Sequence, residues 1–168
     1  MHFADVRAVC FDWGGTLMSE AGPDDLPMAL WPTVRCIEGA AETLAALHGR
    51  YRLAIATNAS VSRRPMIEKA LKRAGLPRYI GEIFCFTELG VRKESPAFWR
   101  IVTATLKVEP KQLAMIGDTL EPDVLAPRRA GVRAVWFNEG NRQPAPAVPV
   151  PTVARLVEFT ALISNRPA

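Results

Sequence analysis

The chain has 168 residues, 49% of them apolar and 23% charged, proportions that exclude disorder and fibrous repeats and fit one domain spanning 1–168. The net charge of +4 is mild, and the basic pairs Arg63/Arg64, Lys72/Arg73 and Arg128/Arg129 are scattered as on solvated helix faces. A nucleic-acid surface would carry a basic stripe with interleaved aromatics, so no nucleic-acid partner is expected; no apolar run approaches the ~18 residues of a membrane span either.

In chain order, Val6 to Phe11 reads as a strand entering the glycine turn Asp12-Trp13-Gly14-Gly15. Glu38 to His48 has helical spacing and is closed by Gly49; Tyr51 to Ala56 is a second strand ending at Thr57-Asn58. Ser62 to Ala74 is a helix with Pro65 in its first turn, and Glu82 to Phe86 is a third strand. Ser95-Pro96 starts a helix with Phe98, Trp99, Val102 and Leu106 facing inward. Leu113 to Ile116 is a fourth strand, running into Gly117-Asp118, and a short helix leads to a fifth, Arg133 to Phe137. Residues 138–151 hold four prolines and read as an extended surface connection, after which Thr152 caps a last helix, Val153 to Ile163. Pro127 sits inside the helix after Asp123 and crowds the carbonyl of that residue, so the helix begins late or is kinked.

Strand and helix alternate five times. This specifies an α/β class, doubly wound and Rossmann-like: three layers, α/β/α, around a parallel sheet of five strands. Cys10, Cys36 and Cys85 are odd in number and far apart, which argues against a disulfide framework and for a reducing compartment. With no basic-then-apolar leader visible at the N-terminus, the expected location is the cytoplasm.

Three strands end in polar residues: Asp12, Thr57-Asn58 and Asp118, with Asp123 a helical turn further on. A lone Asp after a strand is usually a turn former. Adjacent parallel strands, however, lie about 4.8 Å apart, so these ends converge, in the crevice where such sheets bind ligands. Carboxylates gathered there repel one another unless a cation joins them, and all-oxygen ligation of this kind suits Mg²⁺.

The segment Phe11-Asp12-Trp13-Gly14-Gly15-Thr16-Leu17 resembles the first motif of the haloacid dehalogenase (HAD) superfamily of phosphatases and related hydrolases. Thr57-Asn58 resembles the second, Lys93 ahead of Ser95-Pro96 the third, and Gly117-Asp118-Thr119-Leu120-Glu121-Pro122-Asp123 the fourth, at separations of 45, 36 and 25 residues. The resemblance covers residues 5–138 and implies a Mg²⁺-dependent phosphatase acting on a phosphate ester or anhydride of a small molecule or a phosphoprotein. Asp12 would be the nucleophile that becomes an aspartyl phosphate. Mg²⁺ would be held by Asp12, the Gly14 carbonyl, Asp118 and Asp123. Phosphate oxygens would be bound by Thr57, Asn58 and the backbone N–H groups of Trp13 and Gly14, and Lys93 would balance the developing charge. The Trp13 side chain is read as pointing to the opposite face of the strand end.

One position departs from the pattern. Phosphatase members carry a second Asp two residues after the nucleophile as general acid/base, and here that residue is Gly14. Loss of a positioned acid costs about 10²–10⁴-fold in rate, so the resemblance implies a slow enzyme. The alternative is a weakened or inactive domain that binds a phosphorylated ligand or a protein, with phosphonatase- or dehalogenase-like chemistry behind it. The 20 residues 18–37 contain Pro23, Pro27 and Pro32 and are too few for a helical cap, so they are expected to form a short connection in its place. Leu26, Met28, Leu30 and Trp31 there suit packing on the core first, and a lid or a homo-oligomer interface second. Glu20, Asp24 or Asp25 swinging in as a substitute acid is the lesser reading.

Overall fold

A computed structural model describes residues 3–164. Its sheet is formed by β1 (Ala8–Phe11), β2 (Arg52–Thr57), β3 (Glu82–Cys85), β4 (Leu113–Gly117), β5 (Arg133–Phe137) and β6 (Thr152–Val153). All pairings are parallel, in the order β3-β2-β1-β4-β5-β6. The chain builds outward from β1 to β3, then returns to the other side of β1 with β4. That reversal opens a crevice at the carboxyl ends of β1 and β4. The helices are α1 (Ala40–Leu47), α2 (Arg64–Arg73), the single turn α3 (Phe86–Leu89), α4 (Pro96–Leu106), α5 (Ala126–Arg129) and α6 (Leu156–Ser164).

Side chains alternate along each strand, so each face of the sheet has its own core. Val9, Phe11, Leu53, Ile55, Ile116 and Val135 pack under α1, α2 and α6, where Phe11 meets Phe159 edge to face at 6.0 Å. The other face is paved with small residues: Ala8, Cys10, Ala54, Ala56 and Ala134. This makes room for Phe98, Trp99 and Val102 of α4, whose two rings meet at 5.2 Å. Ser95 caps α4 by accepting from Ala97 N (3.2 Å), and Pro96 opens its first turn, so the start of this helix follows directly from its sequence. The three cysteines are free, and burial pushes the Cys10 thiol up to about 12.

Two expectations need correction. The sheet has six strands. Thr152–Val153, read as the cap and start of the last helix, instead pair with Trp136 and Phe137, anchored by Trp136 N on Pro151 O (2.8 Å) and Asn138 N on Val153 O (3.0 Å). The helix begins only at Leu156, where Glu158 accepts from Ala154 N and Arg155 N. A two-residue strand lies below what periodicity can resolve. At Pro127, the residues Glu121–Leu125 form a π-helical turn, and Ala126 N bonds Glu121 O. The backbone stays helical through Leu125 and Ala126, so Pro127 follows a helical turn, and the wider π turn is the irregularity that accommodates its ring and missing N–H.

Candidate active site

The side chains of Asp12, Asp118 and Asp123 each offer an oxygen within 4.8 Å of the others. Asp12 follows β1, Asp118 follows β4, and Asp123 lies in the π-helical turn. Two close approaches require glycine: a β-carbon on Gly15 (φ +74°) would fall 2.5 Å from Asp118 Oδ2, and one on Gly117 2.3 Å from Asp123 Cγ. Thr16 Oγ1 donates to Asp118 Oδ1 (3.1 Å) and lies 3.4 Å from Asp12 Oδ2.

Lys93 reaches this cluster from the loop before α4. Only 2% of it is exposed, and its Nζ sits 2.6 Å from Asp12 Oδ1 and 2.5 Å from Asp123 Oδ1. Its backbone is held at both ends. Lys93 N donates to Asn58 Oδ1 (2.9 Å) and Lys93 O accepts from Trp99 Nε1 (2.7 Å). Asn58 Nδ2 also donates to Glu94 Oε2 (2.9 Å), so its side chain is engaged in tying the Lys93 loop to β2. Trp136 Nε1 likewise holds Asp118 O (2.9 Å). Thr57 lines the cleft beside Asn58, and its Oγ1 accepts from Ala59 N (3.1 Å).

The three carboxylates and one ammonium leave two negative charges uncompensated. Burial, partly offset by Lys93, pushes Asp12 up to about 6. Burial and the neighbouring Asp12 charge push Asp123 up to about 7. Asp118 is raised by burial and by Asp123. Burial alone would lower Lys93, but Asp12 and Asp123 more than reverse this and hold it above its usual value. Hard oxygen donors around an uncompensated charge of two fit a divalent, oxygen-seeking cation.

The cleft above this floor has a volume of about 330 Å³ and is walled by the 18–37 connection through Glu20, Asp24, Leu26, Met28 and Trp31. The connection is closed at its base by a Met18–Cys36 bridge, Ser19 N on Arg35 O (2.9 Å) and Ile37 N on Leu17 O (3.0 Å). Arg73 of α2 donates to the carbonyls of Ala29, Trp31 and Pro32 at 2.7–3.1 Å, so it does more than solvate a helix face. Trp31 packs on Gly22 and donates to Leu26 O (3.0 Å). Trp13 is buried in the core on the Phe11 side of the sheet, as expected, yet it also lines the cleft, and its Nε1 finds no partner among the described residues.

The eight residues given a catalytic, phosphate or metal role all line this cleft: Asp12, Trp13, Gly14, Thr57, Asn58, Lys93, Asp118 and Asp123; of the acids and apolar residues singled out in 18–37, Asp25 and Leu30 do not. Sequence reasoning missed Thr16, Ser60, Ser62 and Arg73. Thr16 was legible as part of the strand-end motif, whereas no local signal marks Arg73 for its carbonyls.

A family model for haloacid dehalogenase-like hydrolases matches residues 27–131. The chain belongs to that family. It is 37% identical over 73 residues to a phosphoserine phosphatase of Thermus thermophilus, a match covering 44% of this chain and 29% of that protein. It is 30% identical over 125 residues to the mouse N-acylneuraminate-9-phosphatase, covering 73% and 49%. The chain thus spans less than two thirds of these relatives. An uncharacterised Listeria monocytogenes protein superposes with a TM-score of 0.80 at 25% identity, over 93% of this chain and 96% of that one. The Bacillus subtilis HAD-hydrolase YfnB gives 0.80 at 16%, over 95% and 99%, and shares the fold. No helix among the described residues is long and apolar enough to cross a membrane.

Proposed function

We propose that the chain is a Mg²⁺-dependent phosphatase that transfers a phosphoryl group from an ester or anhydride of a small molecule to Asp12 and then to water. The observation that carries the reading is the convergence of Asp12, Asp118 and Asp123 with the buried Lys93 at one strand-end crevice. Phosphatase-named relatives over parts of the chain support the same class. Asp12, Asp118, Asp123 and the Gly14 carbonyl are the residues that would hold Mg²⁺, and the ion would supply charge neutralisation for phosphate oxygens. Lys93 keeps Asp12 oriented and adds positive charge where it develops in transfer. Thr57 and the N–H groups of Trp13 and Gly14 stand where phosphate oxygens would be received; Asn58 acts through the Lys93 loop. The 18–37 connection takes the place of a cap and walls the cleft through Glu20, Asp24, Leu26, Met28 and Trp31.

The test is hydrolysis of a panel of phosphate monoesters with and without Mg²⁺. Turnover with the metal, its loss by at least about 10³-fold in Asp12→Asn, and a phosphoryl group trapped on Asp12 are the expected results. Wild-type protein inert toward the whole panel, with no trapped adduct, would reject the reading.

A further inference from the structure

An alkoxide is a poor leaving group unless a proton reaches its oxygen as the P–O bond breaks. Most carboxylates on the floor of the cleft are already committed. Asp12 is the nucleophile on the reading above, Asp123 accepts from Lys93 Nζ and Thr119 N, and Asp118 accepts from Thr16. Glu20 differs from these. It lines the same cleft, and among the described residues its carboxylate has no hydrogen-bond or ion-pair partner. It also lies against the turn that follows the nucleophile. A β-carbon on Gly14 would fall 2.1 Å from Glu20 Oε1 and 2.8 Å from Glu20 Cδ. The Glu20 carboxylate therefore fills the space that a side chain at position 14 would need, and any larger residue there would have to displace it.

We infer that Glu20 is a catalytic residue of this site, the acid that protonates the leaving oxygen and the base that then activates water. This rests on the phosphatase reading. In the first half-reaction an Asp12 oxygen bonds phosphorus. The ester P–O bond breaks with its electron pair passing to the leaving oxygen, and the Glu20 proton completes the alcohol. In the second half-reaction a water oxygen bonds phosphorus while Glu20 takes the water's proton. The P–O bond to Asp12 breaks, and phosphate leaves with Asp12 a carboxylate and Glu20 protonated again. The family's usual acid is rooted in the strand-end turn; here the acid comes from the connection that walls the cleft.

The experiment compares wild type, Glu20→Gln and Asp24→Asn on 4-nitrophenyl phosphate, whose leaving group needs no proton, and on glycerol 2-phosphate, whose alkoxide does. Glu20→Gln is expected to release one nitrophenolate per chain in a burst and then stall with phosphate on Asp12, because the water lacks its base. Glycerol 2-phosphate is expected to give neither glycerol nor adduct, with turnover at least about 10²-fold down. Asp24→Asn, in the same wall, shows neither the stall after a burst nor a selective loss of glycerol 2-phosphate turnover. In the double variant Glu20→Ala with Gly14→Asp, the shortened side chain vacates that space and a carboxylate enters it from the other side, which brings glycerol 2-phosphate turnover back. Wild-type rates in Glu20→Gln overturn the inference. So does joint loss of burst and adduct at an unchanged melting temperature, or the same selective loss in Asp24→Asn alone. Wild type inactive on both substrates would instead reject the phosphatase reading itself.

Discussion

The floor of the cleft consists of Asp12 and Asp118 at strand ends, Asp123 in the π-helical turn and Lys93 before a capped helix; Lys93 pairs with Asp12 and Asp123 inside the protein, and Thr16 holds Asp118. The wall, residues 18–37, carries one 3₁₀ turn (Met28–Leu30) and is held by the Met18–Cys36 bridge with its flanking backbone hydrogen bonds, by Arg73 and by Trp31. The floor is held chiefly by charge, the wall by the burial of Met28, Ala29 and Trp31 and by hydrogen bonds to its backbone carbonyls. Substitutions in the floor should therefore act on stability and chemistry together, while those in the wall should separate them.

The largest effect is expected from Lys93→Met. It leaves Asp12 and Asp123 facing each other inside the protein without their cation, and removing one partner of a buried ion pair costs about 3–5 kcal/mol. At about 2–4 °C per kcal/mol for a chain of this size, the melting temperature in chelator should fall by roughly 10 °C, and part of that loss should return at pH 5, where the two carboxylates protonate. Equal melting of variant and wild type at pH 8 would mean that the floor is wetter than its geometry indicates.

The acids give the next effect. Asp12 and Asp123 bind protons more tightly folded than unfolded, at about 6 and about 7 against ordinary values near 4. Their contribution to stability is full below pH 4 and is lost as pH rises through 6 and 7. Metal-free protein should therefore melt lower at pH 8 than at pH 5, by several degrees, and added Mg²⁺ should flatten the profile by binding the ionised form. A metal-free profile that rises over this window contradicts the assignment of strain to these two residues.

Asn58→Ala ranks third. It removes the acceptor of Lys93 N and the donor to Glu94, and an unsatisfied buried donor costs about 1–3 kcal/mol. Because the loop carries Lys93, kcat should drop along with the melting temperature. A change in KM alone would place Asn58 on the substrate instead.

How far the sequence could be read follows the same division. Strands β1 to β5 announce themselves as apolar runs closed by glycine or a polar pair, and α4 by Ser95-Pro96 with inward residues at helical spacing. The floor was legible because its acids sit at fixed offsets from those strand ends. β6 escaped because two residues carry no period. The wall escaped for another reason: its conformation is set at a distance, by Arg73 from a helix some 40 positions later and by the packing of Trp31 on Gly22. The place of Glu20 depends on what position 14 lacks. Sequence analysis named Glu20 only among three acids of the connection, since an absent side chain marks a space without naming its occupant.

The smallest effect, and the clearest separation of wall from floor, is expected from Arg73→Met. The aliphatic stem is kept while the donors to Ala29, Trp31 and Pro32 are lost. The Pro32 carbonyl is exposed and can be hydrated, while those of Ala29 and Trp31 are part-buried, so the loss should be at the lower end of the usual range, about 1 kcal/mol, a melting shift of roughly 2–4 °C. The floor keeps all its contacts, so burst release of nitrophenolate per active chain should stay within about twofold of wild type. KM for esters large enough to touch Leu26, Met28 or Trp31 should rise, because the surface they rest on is no longer held in place. A fall in kcat matching the rise in KM would show that the connection positions the reacting groups as well as the substrate, and that floor and wall form one mechanical unit.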